Sequence, residues 1–143
     1  MTVSGFDRVP FTQDQLHTAL RSMCPAALKA YDAETTREMR NEWHPDNPTR
    51  FCCYFTSEMV YWYCAPPFSR AMTLEVPGDS TLHRYIEWPD GGIVDLTCDQ
   101  FDVELDYTHA KQRMFLQTGG RGPSKRARQL AELLQIGAQS WTQ

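Results

Sequence analysis

The stretch TLHRYIEWPDGGIVDLT, residues 81–97, decides the fold, because two short β-rich runs flank a turn rich in proline, aspartate and glycine. The first run alternates apolar and polar residues, which predicts a strand with His83 and Tyr85 on one face. The second run predicts its antiparallel partner. With the turn centred on Pro89, Asp95 lies opposite His83, so the hairpin brings an imidazole and a carboxylate together.

A cysteine pair opens the most apolar segment of the chain, within NPTRFCCYFTSEMVYWY at residues 47–63. Pro45 and Pro48 predict an ordered loop before it. The apolar run that begins at Cys52 predicts a helix that is buried on most sides. Cys53 then lies at the start of this helix, where free backbone N–H groups favour a thiolate.

Helical periodicity also appears near both ends of the chain. Thr12 and Gln15 fit a capping box for a helix that should run to about residue 23 and stop before Pro25. A second helix should cover about residues 26–42. A terminal helix should begin near Ser124 and run to about residue 134.

Strand-like runs are concentrated in the second half of the chain. MTLEV at residues 72–76 predicts a third strand, and QFDVELDY at 100–107 fits either a strand or an extended arm. Helices first and strands later predict the α+β class. We expect N-terminal helices and a central buried cysteine-bearing helix, packed on a small antiparallel sheet.

Composition and charge limit the classes of protein to which the chain can belong. The 143 residues favour one domain over 1–143, and 41% apolar with 22% charged residues is typical of an ordinary globular domain. The net charge of −4 gives no general attraction to nucleic acid or to an anionic membrane. The N-terminus has no apolar signal core, and no run approaches the ~20 apolar residues of a membrane span. We therefore expect a cytoplasmic protein.

The cysteines give an odd count with irregular spacing, at Cys24, Cys52, Cys53, Cys64 and Cys98. In the cytoplasm we expect all five to stay reduced instead of forming a disulfide framework. The adjacent pair has no CxxC or HxxxH partner, so no metal site is expected, and no motif indicates a cofactor.

Three of these groups occur in an order that suits covalent catalysis. Cys53 is the candidate nucleophile, His83 the candidate base, and Asp95 the acid that orients the imidazole. The plainer interpretation is an inert core cysteine, a hydrogen-bonded strand histidine and an aspartate that anchors a turn. Their order, with the hairpin joining the last two, favours the active-site hypothesis.

Other residues are candidates for supporting this site. The backbone N–H of Cys53 is a candidate oxyanion donor. Groups expected near the oxyanion or behind the triad are Cys52, Asn47, Glu58 and Gln100. Residues expected to line the cleft are Trp43, His44 and Tyr85.

These same positions carry a resemblance to the YunG-like family of bacterial and phage proteins. Residues 43–48 resemble its W-x-P-x-N-P motif, Cys53 stands at the cysteine of its NPxxGQC run, and residues 95–101 match D-L-T-x-x-Q-F. His83, followed by an aromatic residue at Tyr85, resembles its strand histidine. The resemblance covers about residues 40–101 and implies a small α+β protein with a Cys-His-Asp site, without implying a substrate.

More loosely, the order of cysteine on a helix and then histidine and acid on strands resembles papain-like and transglutaminase-like enzymes. One departure stands at Phe51-Cys52, where the family has Gly-Gln. The family glutamine is a natural amide donor to an oxyanion, whereas cysteine donates poorly. Loss of one such donor typically lowers the rate by ~10²–10³.

Three functions remain open from the sequence. The first is a cysteine hydrolase or acyl transferase of peptidase, deamidase or transglutaminase-like chemistry, acting on an amide, ester or thioester of a peptide, protein or small acyl substrate. The second is a catalytically weak or inactive papain-like scaffold that serves as a protein-interaction or phage or bacterial effector module. The third, least favoured by the acidic net charge, is nucleic-acid binding through Lys111, Arg113, Arg121, Lys125, Arg126 and Arg128.

Overall fold

The computed structural model describes residues 4–28, 47–50, 52–79, 82–115 and 121–137. Its helices are α1 (Gln13–Leu28), α2 (Cys53–Met59) and α3 (Lys125–Leu133). Its strands are β1 (Arg70–Glu75), β2 (Leu82–Glu87), β3 (Ile93–Val94) and β4 (Lys111–Gln112). Single turns of 3-10 helix lie at Phe6–Arg8 and Cys98–Gln100, and a π-helical turn at Val60–Cys64.

The strands form one antiparallel sheet in the order β3-β2-β1-β4. The α+β class is therefore confirmed. The main core lies between the sheet and the helices, with Leu20 of α1, Met59 of α2, Ile86 of β2 and Leu130 of α3 all fully buried. No helix in the described part of the chain is long and apolar enough to cross a membrane.

The β2–β3 hairpin forms, but its register differs from the predicted one. Ile86 pairs with Val94, so the turn is centred on residue 90 instead of Pro89. A three-residue loop closes on the bond from the Trp88 N–H to the Gly92 carbonyl (2.8 Å). Because the register moves by two positions in the partner strand, side chains keep their faces.

Asp95 is consequently a diagonal neighbour of His83, one residue beyond the end of β3 instead of directly opposite on a strand. The predicted shared face of His83 and Tyr85 is confirmed, with the two rings stacked at 6.5 Å. A diagonal pair on one face stays within reach of long side chains. The His83 and Asp95 side chains can therefore still meet, although the predicted register was wrong.

Helix α1 begins as predicted and ends later than predicted. The Thr12 N–H donates to Gln15 Oε1 (2.8 Å) and the Gln15 N–H to Thr12 Oγ1 (3.1 Å), which is a complete capping box. The predicted stop before Pro25 is wrong, since α1 continues to Leu28. A proline inside a helix removes one backbone hydrogen bond, a cost that tertiary packing can offset. Of the predicted second helix, 26–28 belong to α1 and 29–42 lie outside the described residues.

The other predicted elements are largely confirmed. The apolar helix starts at Cys53 and continues through the π-helical turn to Cys64. Ser124 caps α3, where its hydroxyl accepts from the Ala127 N–H. Residues 101–107 form no strand and run as an irregular arm, which leaves the short β4 at the sheet edge.

The N-terminal segment lies against the end of β3. The Asp95 N–H donates to the Ser4 carbonyl (2.8 Å), and Gly5 has φ of 85°. A Cβ at Gly5 would lie 2.8 Å from the Val94 Cα, a contact that the backbone cannot accommodate without moving. Gly5 is thus required both for its left-handed conformation and for the close approach of the two chain segments.

We expect Gly5→Ala to lower the free energy of unfolding by roughly 2–4 kcal/mol, because it combines left-handed strain with a backbone clash. Gly78→Ala is the matched control, since Gly78 has φ of 81° but a Cβ added there would meet nothing within 4 Å. It should cost only about 1–2 kcal/mol from the conformation alone. Urea unfolding of the two variants measures the difference, and equal losses would contradict the close approach at Gly5.

Candidate active site

Helix α2 is docked against an open edge of β2. In the β2–β3 ladder the even-numbered residues of β2 direct their backbone groups toward β3, but β3 pairs only with Ile86 and Glu87. The Arg84 carbonyl therefore accepts from Ser57 Oγ of α2 at 3.0 Å. One helical turn earlier, Cys53 Sγ lies 3.8 Å from the Leu82 carbonyl oxygen. This docking places the thiol beside the backbone of the residue that precedes His83.

His83 and Asp95 form a fully buried pair. His83 Nε2 lies 2.6 Å from Asp95 Oδ2, and neither side chain is exposed to solvent. The Tyr107 hydroxyl donates to the same carboxylate oxygen at 2.7 Å. The structure thus brings together the imidazole and the acid that the sequence singled out, and adds a tyrosine.

Aromatic rings hold the imidazole in place. The Phe101 ring meets the His83 ring edge-on at 5.0 Å, and Tyr85 stacks on the side toward the sheet. Tyr85 is 2% exposed, so it forms a wall behind the imidazole instead of the open cleft lining expected from the sequence. Within the described residues, His83 Nδ1 has no formed hydrogen bond. This nitrogen is therefore the one available to the Cys53 thiol.

The electrostatics of His83 favour its charged form. Burial lowers the pKa of His83, but hydrogen bonding and the negative charges of Asp95 and the Cys53 thiolate outweigh burial and raise the pKa to about 10. Imidazole and sulfur thus lie within electrostatic range of one another, although no aligned hydrogen bond joins them. Asp95 and Cys53 thus both favour the imidazolium form of His83.

The remaining free thiols differ from Cys53 in their surroundings. Burial raises the pKa of Cys64 to about 12, and burial with the negative charges of Asp95 and Asp99 raises the pKa of Cys98 to about 12. Cys53 is only partly buried. Since the thiolate is the nucleophile, Cys64 and Cys98 are expected to be inert.

Three expected oxyanion donors are bonded to backbone carbonyl groups. Asn47 Nδ2 donates to the Gln100 carbonyl (3.3 Å), and Gln100 Nε2 to the Thr97 carbonyl (3.0 Å). The Cys52 N–H donates to the Thr49 carbonyl (3.0 Å). These bonds shape the loop before α2 and fasten it to the 3-10 turn at Cys98–Gln100.

The expectation that all five cysteines are reduced is wrong for Cys52, which is disulfide-bonded, while Cys53, Cys64 and Cys98 are free. Charge and composition indicate a compartment, but they do not reveal which sulfurs the fold brings together. A disulfide sulfur carries no proton, so the Cys52 side chain cannot act as a hydrogen-bond donor to an oxyanion.

The remaining residues expected to support the site are Glu58, Trp43 and His44. Glu58 is fully buried and accepts from the Ser124 N–H (3.1 Å) and hydroxyl (2.6 Å), so it fastens α2 to the start of α3. Trp43 and His44 lie outside the described residues. No group of three or more His, Cys, Asp or Glu side chains within the described ranges could hold a metal ion.

Comparison with known proteins gives one match of wide extent. The family model described as YunG protein matches residues 12–136, which include the whole candidate site. The chain belongs to the YunG family. No curated protein and no solved structure matches it. The match begins at the capping residue of α1 and ends beyond α3, so it extends well past the residues 40–101 on which the sequence resemblance rested.

Several residues of this YunG-family site had not been singled out in the sequence. Ser57 anchors α2, Thr49 Oγ1 donates to Asp99 Oδ1 (2.7 Å), and the Tyr107 hydroxyl donates to Asp95. Ser57 follows Cys53 by one helical turn, which is a signal for a shared helix face. Tyr107 has no comparable local signal, because its contact depends on how the irregular arm folds back over the sheet.

Proposed function

We propose that this YunG-family protein is a cysteine-dependent hydrolase or acyl transferase that acts on an amide, ester or thioester bond. Cys53 is the nucleophile, His83 exchanges protons with the reacting groups, and Asp95 orients His83. The main support is the arrangement around His83, in which Nε2 is bonded to a buried carboxylate, Nδ1 makes no hydrogen bond among the described residues, and the Cys53 thiol acts electrostatically on the ring. The order of the three residues along a helix and a sheet resembles that of papain-like enzymes.

The raised pKa of His83 indicates how the reaction begins. A thiolate at Cys53 beside the imidazolium attacks the carbonyl carbon and forms a tetrahedral intermediate. His83 then gives its proton to the departing nitrogen, oxygen or sulfur, and an acyl-thioester remains on Cys53. Water or another acceptor loses a proton to His83 and attacks the thioester, which releases the acyl product and restores the imidazolium–thiolate pair.

The backbone N–H of Cys53 is the best candidate for stabilising the oxyanion. It belongs to the first residue of α2, and no described group accepts a hydrogen bond from it. Peptidase, deamidase and transglutaminase-like reactions all proceed through the same acyl intermediate.

A groove that shares Leu82 with the site, although none of Cys53, His83 and Asp95 lines it, offers room for a substrate. Its volume is about 1130 Å³, and it is lined in part by Leu82, whose carbonyl lies near the Cys53 sulfur. Leu74, Val103 and Leu105 supply apolar walls, while acidic and basic side chains surround them. Mixed polar and apolar walls of this size fit a peptide segment or a small acyl compound.

A second candidate function is a scaffold with little or no activity that binds another protein. The observation that favours it is that the Asn47 and Gln100 amides are each bonded to a backbone carbonyl, and that Cys52, as a disulfide sulfur, has no S–H to donate to an oxyanion. The two candidates differ in what they predict for the thiol. An inactive scaffold has no need of an activated sulfur, whereas a hydrolase or transferase requires one.

We expect iodoacetamide at pH 6 to alkylate Cys53 selectively, because Cys53 alone among the free thiols of the described residues lies beside an imidazolium. An ordinary thiol with a pKa near 8.5 is only about 0.3% ionised at pH 6. Mass spectrometry of the peptides containing Cys53, Cys64 and Cys98 measures the rate at each site, with glutathione as the reference thiol. A Cys53 rate no higher than that of glutathione at pH 6 would contradict the proposed chemistry.

A further inference from the structure

We propose that Tyr107 is a positioning residue that holds the Asp95 carboxyl aligned on His83, so that Nδ1 faces the thiol. This inference rests on the proposed function of the Cys53, His83 and Asp95 site. It assigns a fourth residue to that site, contributed by the irregular arm that follows the 3-10 turn at Cys98–Gln100.

The hydrogen bonds of the carboxylate are concentrated on one oxygen. Asp95 Oδ2 accepts from both His83 Nε2 (2.6 Å) and the Tyr107 hydroxyl (2.7 Å). Asp95 Oδ1 is buried and has no hydrogen-bond partner among the described residues. A buried carboxylate needs such donors to remain charged. Tyr107 therefore supplies half of the side-chain hydrogen bonds that Asp95 receives within the described structure.

Tyr107 is itself held in a fixed position. Its neighbour Asp106 accepts from the Thr108 N–H (3.0 Å), and the Ala110 N–H donates to the Tyr107 carbonyl (3.2 Å), so the arm turns tightly at this residue. Its ring packs edge-on against Tyr85 at 4.9 Å, and Tyr85 in turn stacks on His83. The hydroxyl is thus directed at the carboxylate before any substrate binds.

The hydroxyl remains a donor under all ordinary conditions. Burial and the adjacent Asp95 charge raise the pKa of Tyr107 above its usual value, so the phenol stays protonated. A donated bond favours the ionised carboxyl and fixes which lone pair faces the imidazole. The Nε2–H of His83 is thereby held on Asp95, and Nδ1 remains the ring nitrogen that faces the sulfur.

The test is Tyr107→Phe, which removes the hydroxyl and leaves the ring against Tyr85. Tyr63→Phe is the matched control, because Tyr63 undergoes the same chemical change on the π-helical turn at Val60–Cys64. The rate of Cys53 alkylation by iodoacetamide is measured for each protein from pH 4 to pH 10. Thermal unfolding of both variants shows whether the fold is retained.

We expect Tyr107→Phe to shift the acid limb of the alkylation profile upward by roughly half to one unit, because an Asp95 carboxyl that has lost one of its two donors no longer holds the His83 charge aligned on the thiol. The alkylation rate at pH 6 should fall several-fold, while Tyr63→Phe follows the unmodified protein. If Tyr107 had only a structural role, Tyr107→Phe would change thermal stability without moving the acid limb of the Cys53 alkylation profile.

Two outcomes separate this inference from the proposed function. If the unmodified protein shows an activated Cys53 and Tyr107→Phe leaves its pH profile unchanged, the role of Tyr107 is overturned and the proposed function stands. If the unmodified protein titrates as an ordinary thiol, the proposed function and this inference both fail. A downfield His83 Nε2–H resonance that changes in Tyr107→Phe would support the inference independently of Cys53.

Discussion

His83→Ala is expected to lower the rate of Cys53 alkylation at pH 6 by about two orders of magnitude. In the proposed mechanism the His83 imidazolium, whose pKa is raised to about 10 by Asp95 and Cys53 against the effect of burial, is the positive charge that favours a thiolate. An ordinary thiol, the expected limit without that charge, is only about 0.3% ionised at pH 6. The measurement is the second-order rate constant with iodoacetamide, site by site.

The pH dependence follows from the same charge. An imidazolium that persists up to about pH 10 keeps Cys53 reactive through the neutral range, so the alkylation rate of the unmodified protein should change little between pH 6 and pH 8. In His83→Ala the rate should rise about tenfold for each pH unit over this interval, as for a free thiol.

His109→Ala is the control for removing an imidazole, since His109 is exposed. Its alkylation rate should equal that of the unmodified protein. The alkylation rate of Asp95→Asn should lie between those of His83→Ala and His109→Ala, because the asparagine can still bond the His83 ring but no longer stabilises its charge. Equal rates in His83→Ala and His109→Ala would rule out an activated Cys53–His83 pair.

Local pattern was enough to place Cys53 and His83 on their elements. Cys53 begins a helix because Pro48 and the turn before it stop any earlier helix, and the apolar run that follows favours a buried helix. His83 lies on a strand because apolar and polar residues alternate around it. Both signals are short in range and depend on few neighbours.

The hairpin register required more than local pattern. The position of the turn sets which residues pair across the hairpin, and a shift of two residues leaves each side chain on the same face of the sheet. The predicted partner of Trp88 was therefore wrong, although the face predicted for His83 and Asp95 was right. The end of α1 was missed for a related reason. A helix ends at a proline unless packing elsewhere favours its continuation, and that packing is not visible in the sequence around Pro25.

Contacts between distant segments were beyond the reach of the sequence. The bond from Ser57 to the Arg84 carbonyl depends on β3 being too short to cover β2, and the bond from Tyr107 to Asp95 depends on the path of an irregular arm. Each involves a residue type that is common on surfaces and is therefore uninformative alone. The resemblance to the family marked the acid and the thiol, but not these partners.

Glu58→Ala is expected to lower the free energy of unfolding by roughly 3–5 kcal/mol, the largest stability loss that we predict for a polar residue. The carboxylate is fully buried and accepts both hydrogen bonds from Ser124, the residue that caps α3. Its removal leaves a buried N–H and a buried hydroxyl without their acceptor and opens a cavity between α2 and α3. Urea unfolding measures the loss.

Two controls separate the buried contact from the loss of a charge. Glu132→Ala removes an exposed carboxylate from α3 and should change stability by no more than about 0.5 kcal/mol. Ser124→Ala combined with Glu58→Ala gives a double-mutant cycle, in which the coupling between the two side chains should exceed about 1 kcal/mol. A loss below about 1 kcal/mol in Glu58→Ala would show that the contact with Ser124 does not stabilise the fold.

Glu58→Gln tests the charge itself. Burial raises the pKa of Glu58 above 4.5, against the opposing effects of Ser124, Arg84 and Arg126, so the folded protein takes up a proton here more readily than the unfolded chain. The stability linked to this proton is complete below pH 4.5 and is lost as the pH rises through the raised pKa. The unmodified protein should therefore exceed Glu58→Gln in stability by more at about pH 4.5 than at about pH 7.5. A difference that grows with pH would mean that the buried group is held as a carboxylate by its donors, with burial the weaker effect.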